Sequence, residues 1–188
     1  MKKTELLRKQ LTDILAEKRF IDAFDFCEAN NINPAPVHTA VHETVDEAYG
    51  FMGKKKYEDA IEEFVTTIGA IEPSVVLSCF IGSHLTSYLT TYLVELHRRG
   101  YAKAEHTKLL FNLFRLKDNK PRLTEFINHL REAIKEEELG DKRPAPFLKC
   151  FRENAEEAVE TLRDNDMEEE ALTISLTLSL NSHIISLL

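Results

Sequence analysis

The most informative pattern in the chain runs from Tyr57 to Ser74 and reads YEDAIEEFVTTIGAIEPS. Tyr57, Ala60, Ile61, Phe64, Val65 and Ile68 recur at steps of three and four, which draws one apolar stripe along an α-helix, with Glu58, Asp59, Glu62 and Glu63 on the other face. The acids fall in the first two turns, where the positive end of the helix dipole favours them. Gly69 predicts the stop and Pro73 the start of the next helix. Similar stripes precede it at Leu7, Leu11 and Ile14, at Phe20, Ala23, Phe24 and Cys27, and at Val37, Ala40, Val41, Val45, Ala48 and Met52. Others follow: Pro73 to Phe80; Leu85, Tyr88, Leu89, Tyr92, Leu93 and Leu96, closed by Gly100; Leu109, Leu110, Leu113 and Phe114. Pro121 opens a stripe of Leu123, Phe126, Ile127, Leu130 and Ile134 that ends at Gly140. Phe147, Leu148 and Phe151 and then Ala155, Ala158, Val159 and Leu162 complete the set. Strand signals are nearly absent, so the pattern predicts an all-α fold of short paired helices with no sheet.

The pairs repeat. Phe20-x-x-Ala23 and Tyr57-x-x-Ala60 lie 37 residues apart, a period suited to stacked two-helix units of the tetratricopeptide, HEAT or clathrin-repeat kind. An aromatic, then Ala-Ile, then Phe is what the second helix of a tetratricopeptide-type hairpin carries, although Thr67 stands at a usual alanine position. No Gly-rich linker or composition shift marks a boundary, so residues 1–188 are expected to form one α-solenoid segment. The segment from Ala171 to Leu188 is ambiguous. Leu172, Ile174, Leu176, Leu178 and Leu180 alternate with Ser and Thr at the period of a strand, yet Leu172, Leu176, Leu180, Ile184 and Leu188 also form an i, i+4 row behind the acids Glu168 to Glu170. The acids favour a helix. Its lack of charge raises a membrane anchor, against which stand its many hydroxyls, Asn181, His183 and the absence of flanking basic or aromatic residues.

Charge and chemistry narrow the functions. With 24 basic and 32 acidic side chains in 188 residues the net charge is −8, which argues against a phosphate-backbone binder or a polybasic membrane-surface protein and favours protein partners. Cys27, Cys79 and Cys150 are odd in number and set in apolar helical contexts, which suits a reducing compartment. His38 and His42 are spaced to hold a metal, but Thr39 replaces the glutamate of a zincin motif and no third ligand is evident. Cys79 and His84 read as a packed thiol and a turn histidine. Gly50 to Lys54 resembles a phosphate loop only faintly, with Lys55 in place of the hydroxyl that binds magnesium, and reads as an inter-helix turn. Lys54 to Lys56 read as a solvated edge, Ser83 lacks the glycines of a nucleophile elbow, and Glu136 to Glu138 read as a helix face. The expectation is no catalytic residue, no metal, no cofactor, no small-molecule substrate and no nucleic acid.

Three stretches carry a family likeness: residues 57 to 74, YLTTYLVELHRRG at 88 to 100, and AEHTKLLFNLFRLKDNKPRLTEFI at 104 to 127. Within them Thr67-Ile68-Gly69, Glu72-Pro73-Ser74, Leu96-His97 and His106-Thr107 with Leu109-Leu110 come in order and at compatible spacing. On these motifs the chain resembles, from about Leu6 onward, the α-solenoid of the vacuolar protein sorting-associated protein 11 family, core subunits of the HOPS and CORVET tethering complexes. The resemblance implies a clathrin-heavy-chain-type repeat and a non-enzymatic role in vesicle transport and membrane fusion. It also implies other tethering subunits as partners, and peripheral association with the cytosolic face of endosomes and the vacuole or lysosome. Family members also carry a β-propeller and a RING domain, neither of which is in this sequence, so the chain is expected to be a segment of a larger protein.

One expectation concerns contacts. Fully burying a Leu or Ile stabilises by about 1.5 to 3 kcal/mol, so the row Leu176, Leu180, Ile184 and Leu188 is a candidate protein-contact stripe through which the isolated segment self-associates. The alternative reading is a free-standing helical-repeat adaptor that binds a peptide and is anchored to a membrane by the uncharged segment.

Overall fold

The computed structural model describes residues 3–82, 84–139 and 146–178. These residues form eleven α-helices and no strand, the one isolated bridge joining Ile68 and Ile71. They fall into two compact units, Met1–Phe80 and Ile81–Leu188.

The first unit holds α1 (Lys3–Ala16), α2 (Phe20–Ala29), α3 (Ala35–Gly53), α4 (Tyr57–Thr66) and α5 (Pro73–Cys79). Helix α1 packs on α2, α2 on α3 and α3 on α4, so one hairpin stacks on the next. Leu11, Phe20, Ala23, Cys27, Val37 and Val41 form a core that binds the first three helices. Helix α3 buries Val37, Val41, Thr44 and Ala48, so Thr44 takes the place on the core face that the sequence pattern assigns to Val45, its hydroxyl donating to the Ala40 carbonyl at 2.9 Å. Ala48 and Ala60 are both fully enclosed, the small side chains that let α3 and α4 approach closely.

The expected Tyr57–Ile68 stripe is divided in the structure. Helix α4 ends at Thr66, and Ile68, still 1% exposed, is buried from the following turn. Thr67 is enclosed as well, donating to the Phe64 carbonyl at 2.7 Å, which is how a hydroxyl occupies an alanine position. Gly69 takes φ +87° in a turn closed by Ala70 N–H to Thr67 O, as its stop role requires. A correction applies to Gly50 and Gly53. They lie inside the last turns of α3, not in a loop, because the chain leaves the helix only at Lys54, and open space surrounds both.

Five helices end the same way. After α1, α2, α3, α6 (Thr86–Arg98) and α10 (Ala155–Asp164) the second residue past the helix, namely Lys18, Asn31, Lys55, Gly100 and Asp166, has positive φ. The next residue's N–H then reaches back to a carbonyl five residues earlier, as in Arg19 to Ile14, Ile32 to Cys27 and Lys56 to Phe51. This is the Schellman closure, which satisfies carbonyls the helix leaves open. The 37-residue repeat is visible here: Lys18 precedes Phe20 and the buried Ala23 as Lys55 precedes Tyr57 and the buried Ala60. Asp166 stands in the same relation to the buried Ala171, a third occurrence that composition conceals.

The second unit holds α6, α7 (Ala104–Phe114), α8 (Lys120–Glu138), α9 (Pro146–Glu153), α10 and α11 (Glu168–Thr177). Helix α6 packs on α7 and α9, α7 on α10, α8 on α7 and α9, and α10 on α11, so the α6–α7 hairpin stacks on α9–α10. Phe111, Phe114, Phe126, Phe147 and Phe151 fill the space between them, with ring centroids of Phe126 and Phe151 5.2 Å apart and of Phe126 and Phe147 5.3 Å apart. Edge-to-face pairs of this kind add to the burial term. Phe111 is fully buried, while Leu109 and Leu113, which the sequence places on the stripe, are half-buried. Helix α11 is helical over Ala171–Thr177, as the acidic start predicts, with Ala171, Ile174 and Ser175 turned to the core. Residues 179–188 lie outside the described residues.

Candidate functional site

The polar groups that sequence reading offers as chemistry are scattered through the two units rather than gathered at one place. His38 and His42 are exposed on α3, and His38 meets the Phe24 ring edge-on at 4.9 Å. Among the described residues no group of three or more His, Cys, Asp or Glu side chains is placed to hold a metal ion. Cys79 donates to the Val75 carbonyl at 3.2 Å, and Cys27 is buried, its thiol pushed up in pKa by that burial. Glu137 pairs with Arg152 through two bonds of 2.9 and 2.7 Å, which hold its carboxyl below its ordinary pKa. Ser83 lies outside the described residues. Lys18, in its left-handed turn, bonds to Glu47 at 3.1 Å and to Glu63, tying the α1–α2 turn to α3 and α4. Burial lowers its pKa, and the two carboxylates outweigh that and raise it.

Sequence reading missed a buried polar core in the second unit. His97 on α6 is fully enclosed, its ring against Phe126 at 5.7 Å and Phe151 at 6.5 Å. Nδ1 lies 2.7 Å from the Leu93 carbonyl and Nε2 2.9 Å from Thr107 Oγ1 on α7. A carbonyl can only accept, so in the neutral ring Nδ1 carries the hydrogen and Nε2 accepts from the Thr107 hydroxyl, which also lies 3.3 Å from the Lys103 carbonyl. Burial, the Leu93 bond working against it and His106 working with it, pushes the His97 pKa down to about 4. The unfolded ring protonates near its ordinary 6.5. Stability from this site is therefore full above about pH 6.5 and is lost as pH falls towards 4, roughly 3 kcal/mol in all. Next to it the Lys103 N–H donates to His106 Nδ1 at 3.0 Å, capping α7.

Further staples surround this pair. Asn119 in the α7–α8 turn, 3% exposed, donates to Thr90 Oγ1 at 3.0 Å and to the Leu113 carbonyl at 3.3 Å. Arg122 on α8 reaches the Ser87 carbonyl at 2.7 Å and Thr91 Oγ1 at 3.0 Å on α6. The Pro146 Cβ and carbonyl would lie 2.9 and 3.0 Å from a Cβ at Gly100, so only glycine fits both that space and the φ of +81°. A shallow groove of about 200 Å³ between α6 and α8 is lined by Thr91, Val94, Glu95, Arg98, Arg122, Glu125 and Phe126. Its Glu95 and Arg98 pair with each other at 2.8 Å, and no nucleophile and base meet in it. Of the candidate contact stripe, Leu176 is on the outer side of α11 and 56% exposed; Leu180, Ile184 and Leu188 lie outside the described residues.

The arrangement is one of packing groups and interhelical ties. The sequence model of the PEP5/VPS11 clathrin repeat matches residues 52–174, from the end of α3 into α11. The chain belongs to the PEP5/VPS11 clathrin-repeat family. It is 40% identical over 81 residues to the human vacuolar protein sorting-associated protein 11 homolog, covering 43% of this chain and 8% of that protein. To the homolog of Caenorhabditis elegans it is 29% identical over 143 residues, 73% of this chain and 14% of the relative. The Arabidopsis thaliana homolog matches at 31% over 117 residues, 61% and 12%. The chain thus spans about a tenth of the length of these relatives. No solved structure matches. The matched span contains His97, His106, Thr107, Asn119 and the Gly100 turn.

Proposed function

We propose that this chain is a non-enzymatic scaffold segment that works in vacuolar protein sorting, as the names of its relatives state of them. Residues 1–188 then act as one α-solenoid piece of a longer protein in a HOPS- or CORVET-type tethering complex. Its partners are other subunits of that complex, and it sits peripherally on the cytosolic face of endosome, vacuole or lysosome membranes. The observation that carries this reading is the family match over residues 52–174, a span in which His97, Asn119 and Arg122 bond from one helix or turn to another. Among the described residues no helix is long and apolar enough to cross a membrane.

Co-expression with the remaining subunits of the tethering complex, followed by affinity capture and liposome flotation, tests it. Capture of those subunits with no flotation of the chain alone supports the scaffold. Stable partitioning into liposomes without any subunit supports instead the adaptor anchored through residues 171–188. The contact stripe Leu176, Leu180, Ile184 and Leu188 belongs to the same proposal, since the half-exposed Leu176 continues an uncharged face of α11. In the isolated chain that face supports self-association.

A further inference from the structure

Helices α6 and α8 each pack on α7 and α9, and the groove between them is lined on its apolar side by Val94 of α6, half-buried, and Phe126 of α8. Its volume of about 200 Å³ is on the scale of a few side-chain groups and falls below the roughly 300 to 1,000 Å³ of small-molecule sites. Charged groups complete the lining. Glu95 and Arg98 pair with each other at 2.8 Å and so satisfy one another. Among the described residues Arg122 bonds only to neutral oxygens, and Glu125 has neither a hydrogen bond nor an ion pair. Arg122 is held in place all the same. Its Nη1 donates to the Ser87 carbonyl at 2.7 Å and to Thr91 Oγ1 at 3.0 Å, and its Nη2 donates to Ser87 Oγ at 3.2 Å. The edge between Nη1 and Nη2 therefore faces Ser87. The Nε–H and the second Nη2–H, the parallel donors along the neighbouring edge, have no acceptor among the described residues. That edge matches the two oxygens of a carboxylate, and the side chain that carries it is already ordered by α6.

We propose that the α6–α8 groove docks a segment of a partner protein in which an aliphatic or aromatic side chain stands beside an aspartate or glutamate. The apolar group covers Val94 and Phe126, and the carboxylate takes the open edge of Arg122. The inference rests on the reading that this chain's partners are proteins. A carboxylate suits the groove better than a phosphate dianion, because Glu95 and Glu125 line the same space and repel the second negative charge. Glu125, unpaired and exposed, adds a preference for a lysine or arginine close to the partner's acid.

Panning a library of short random peptides on the whole chain, followed by affinity measurement, tests the site. The enriched peptides are expected to pair an apolar residue with an acid. Changing that acid to its amide should weaken binding about tenfold, as should Arg122→Lys, which keeps the charge and loses the parallel donors. The two changes together should cost little more than either alone, since both remove one contact. A merely structural Arg122 would give additive losses, and additivity overturns the proposal. So does a library that yields no binder, or binders without an acid. Should Arg122→Lys not fold, Glu125→Gln decides, because that side chain bonds to nothing among the described residues. It should abolish the preference for a basic neighbour while the need for the acid remains, and an unaltered preference contradicts the groove. The library supplies its own ligands, so failure here sinks the groove and leaves the capture of tethering subunits to be judged by itself.

Discussion

Tyr92 shows what a single atom does in this fold. Its ring is fully buried on α6 and its hydroxyl has no hydrogen-bond partner among the described residues, so the side chain stays for its bulk while the oxygen is a burden. Tyr92→Phe is expected to leave stability unchanged or raise it by up to about 1 to 2 kcal/mol in chemical denaturation. A loss of that size would mean that the hydroxyl is bonded after all. The glycines give a contrasting pair. Gly100→Ala is expected to destabilise by about 1 to 2 kcal/mol or more, because positive φ and Pro146 both reject a methyl group. Gly50→Ala, inside α3 with open space around it, should stabilise by about 0.5 to 1 kcal/mol. Equal effects from the two, read from denaturation midpoints, would contradict this account of the turns.

Between the helices, short ties fix the register that apolar burial leaves loose. Asn119→Ala strips the α7–α8 turn of its bond to Thr90 and leaves buried acceptors open, an expected loss of about 1 to 3 kcal/mol by urea unfolding. Lys55→Gly relieves a left-handed lysine in a turn where no ion pair among the described residues holds it, and should gain several tenths of a kcal/mol to about 1. The helices themselves were legible in sequence because each carries its stripe and most carry a break residue. The ties were not. His97 and His106 look like ordinary polar positions in a leucine-rich stretch, and only the pairing of α6 with α7 brings His97 to Thr107. The signal that existed was the family motif at Leu96-His97 and His106-Thr107, which pointed to those residues without saying what they do. Gly50 and Gly53 misled for the opposite reason, since glycine suggests a turn wherever it stands, and burial of Ala48 with the Lys54–Lys56 closure kept the helix going. As far as Thr177 the Ile174 alternation resolves as helix, because Ala171, Ile174 and Ser175 share the face against α10.

On the proposed function, the whole molecule holds shape and offers surface. Its conspicuous residues bind helix to helix, its charges are solvated or paired in small sets, and its family is that of a clathrin repeat in a sorting protein. The surface offered is predicted to lie on the outer faces, where Leu176 and the Lys54–Lys56 edge are exposed. Crosslinking mass spectrometry of the assembled tethering complex, with this segment in its own full-length chain, tests that claim most directly. Crosslinks from exposed lysines of the segment to other subunits, with the buried α6–α7 core giving none, are the predicted result. A segment that crosslinks to no other subunit while the rest of the complex is fully connected would contradict it.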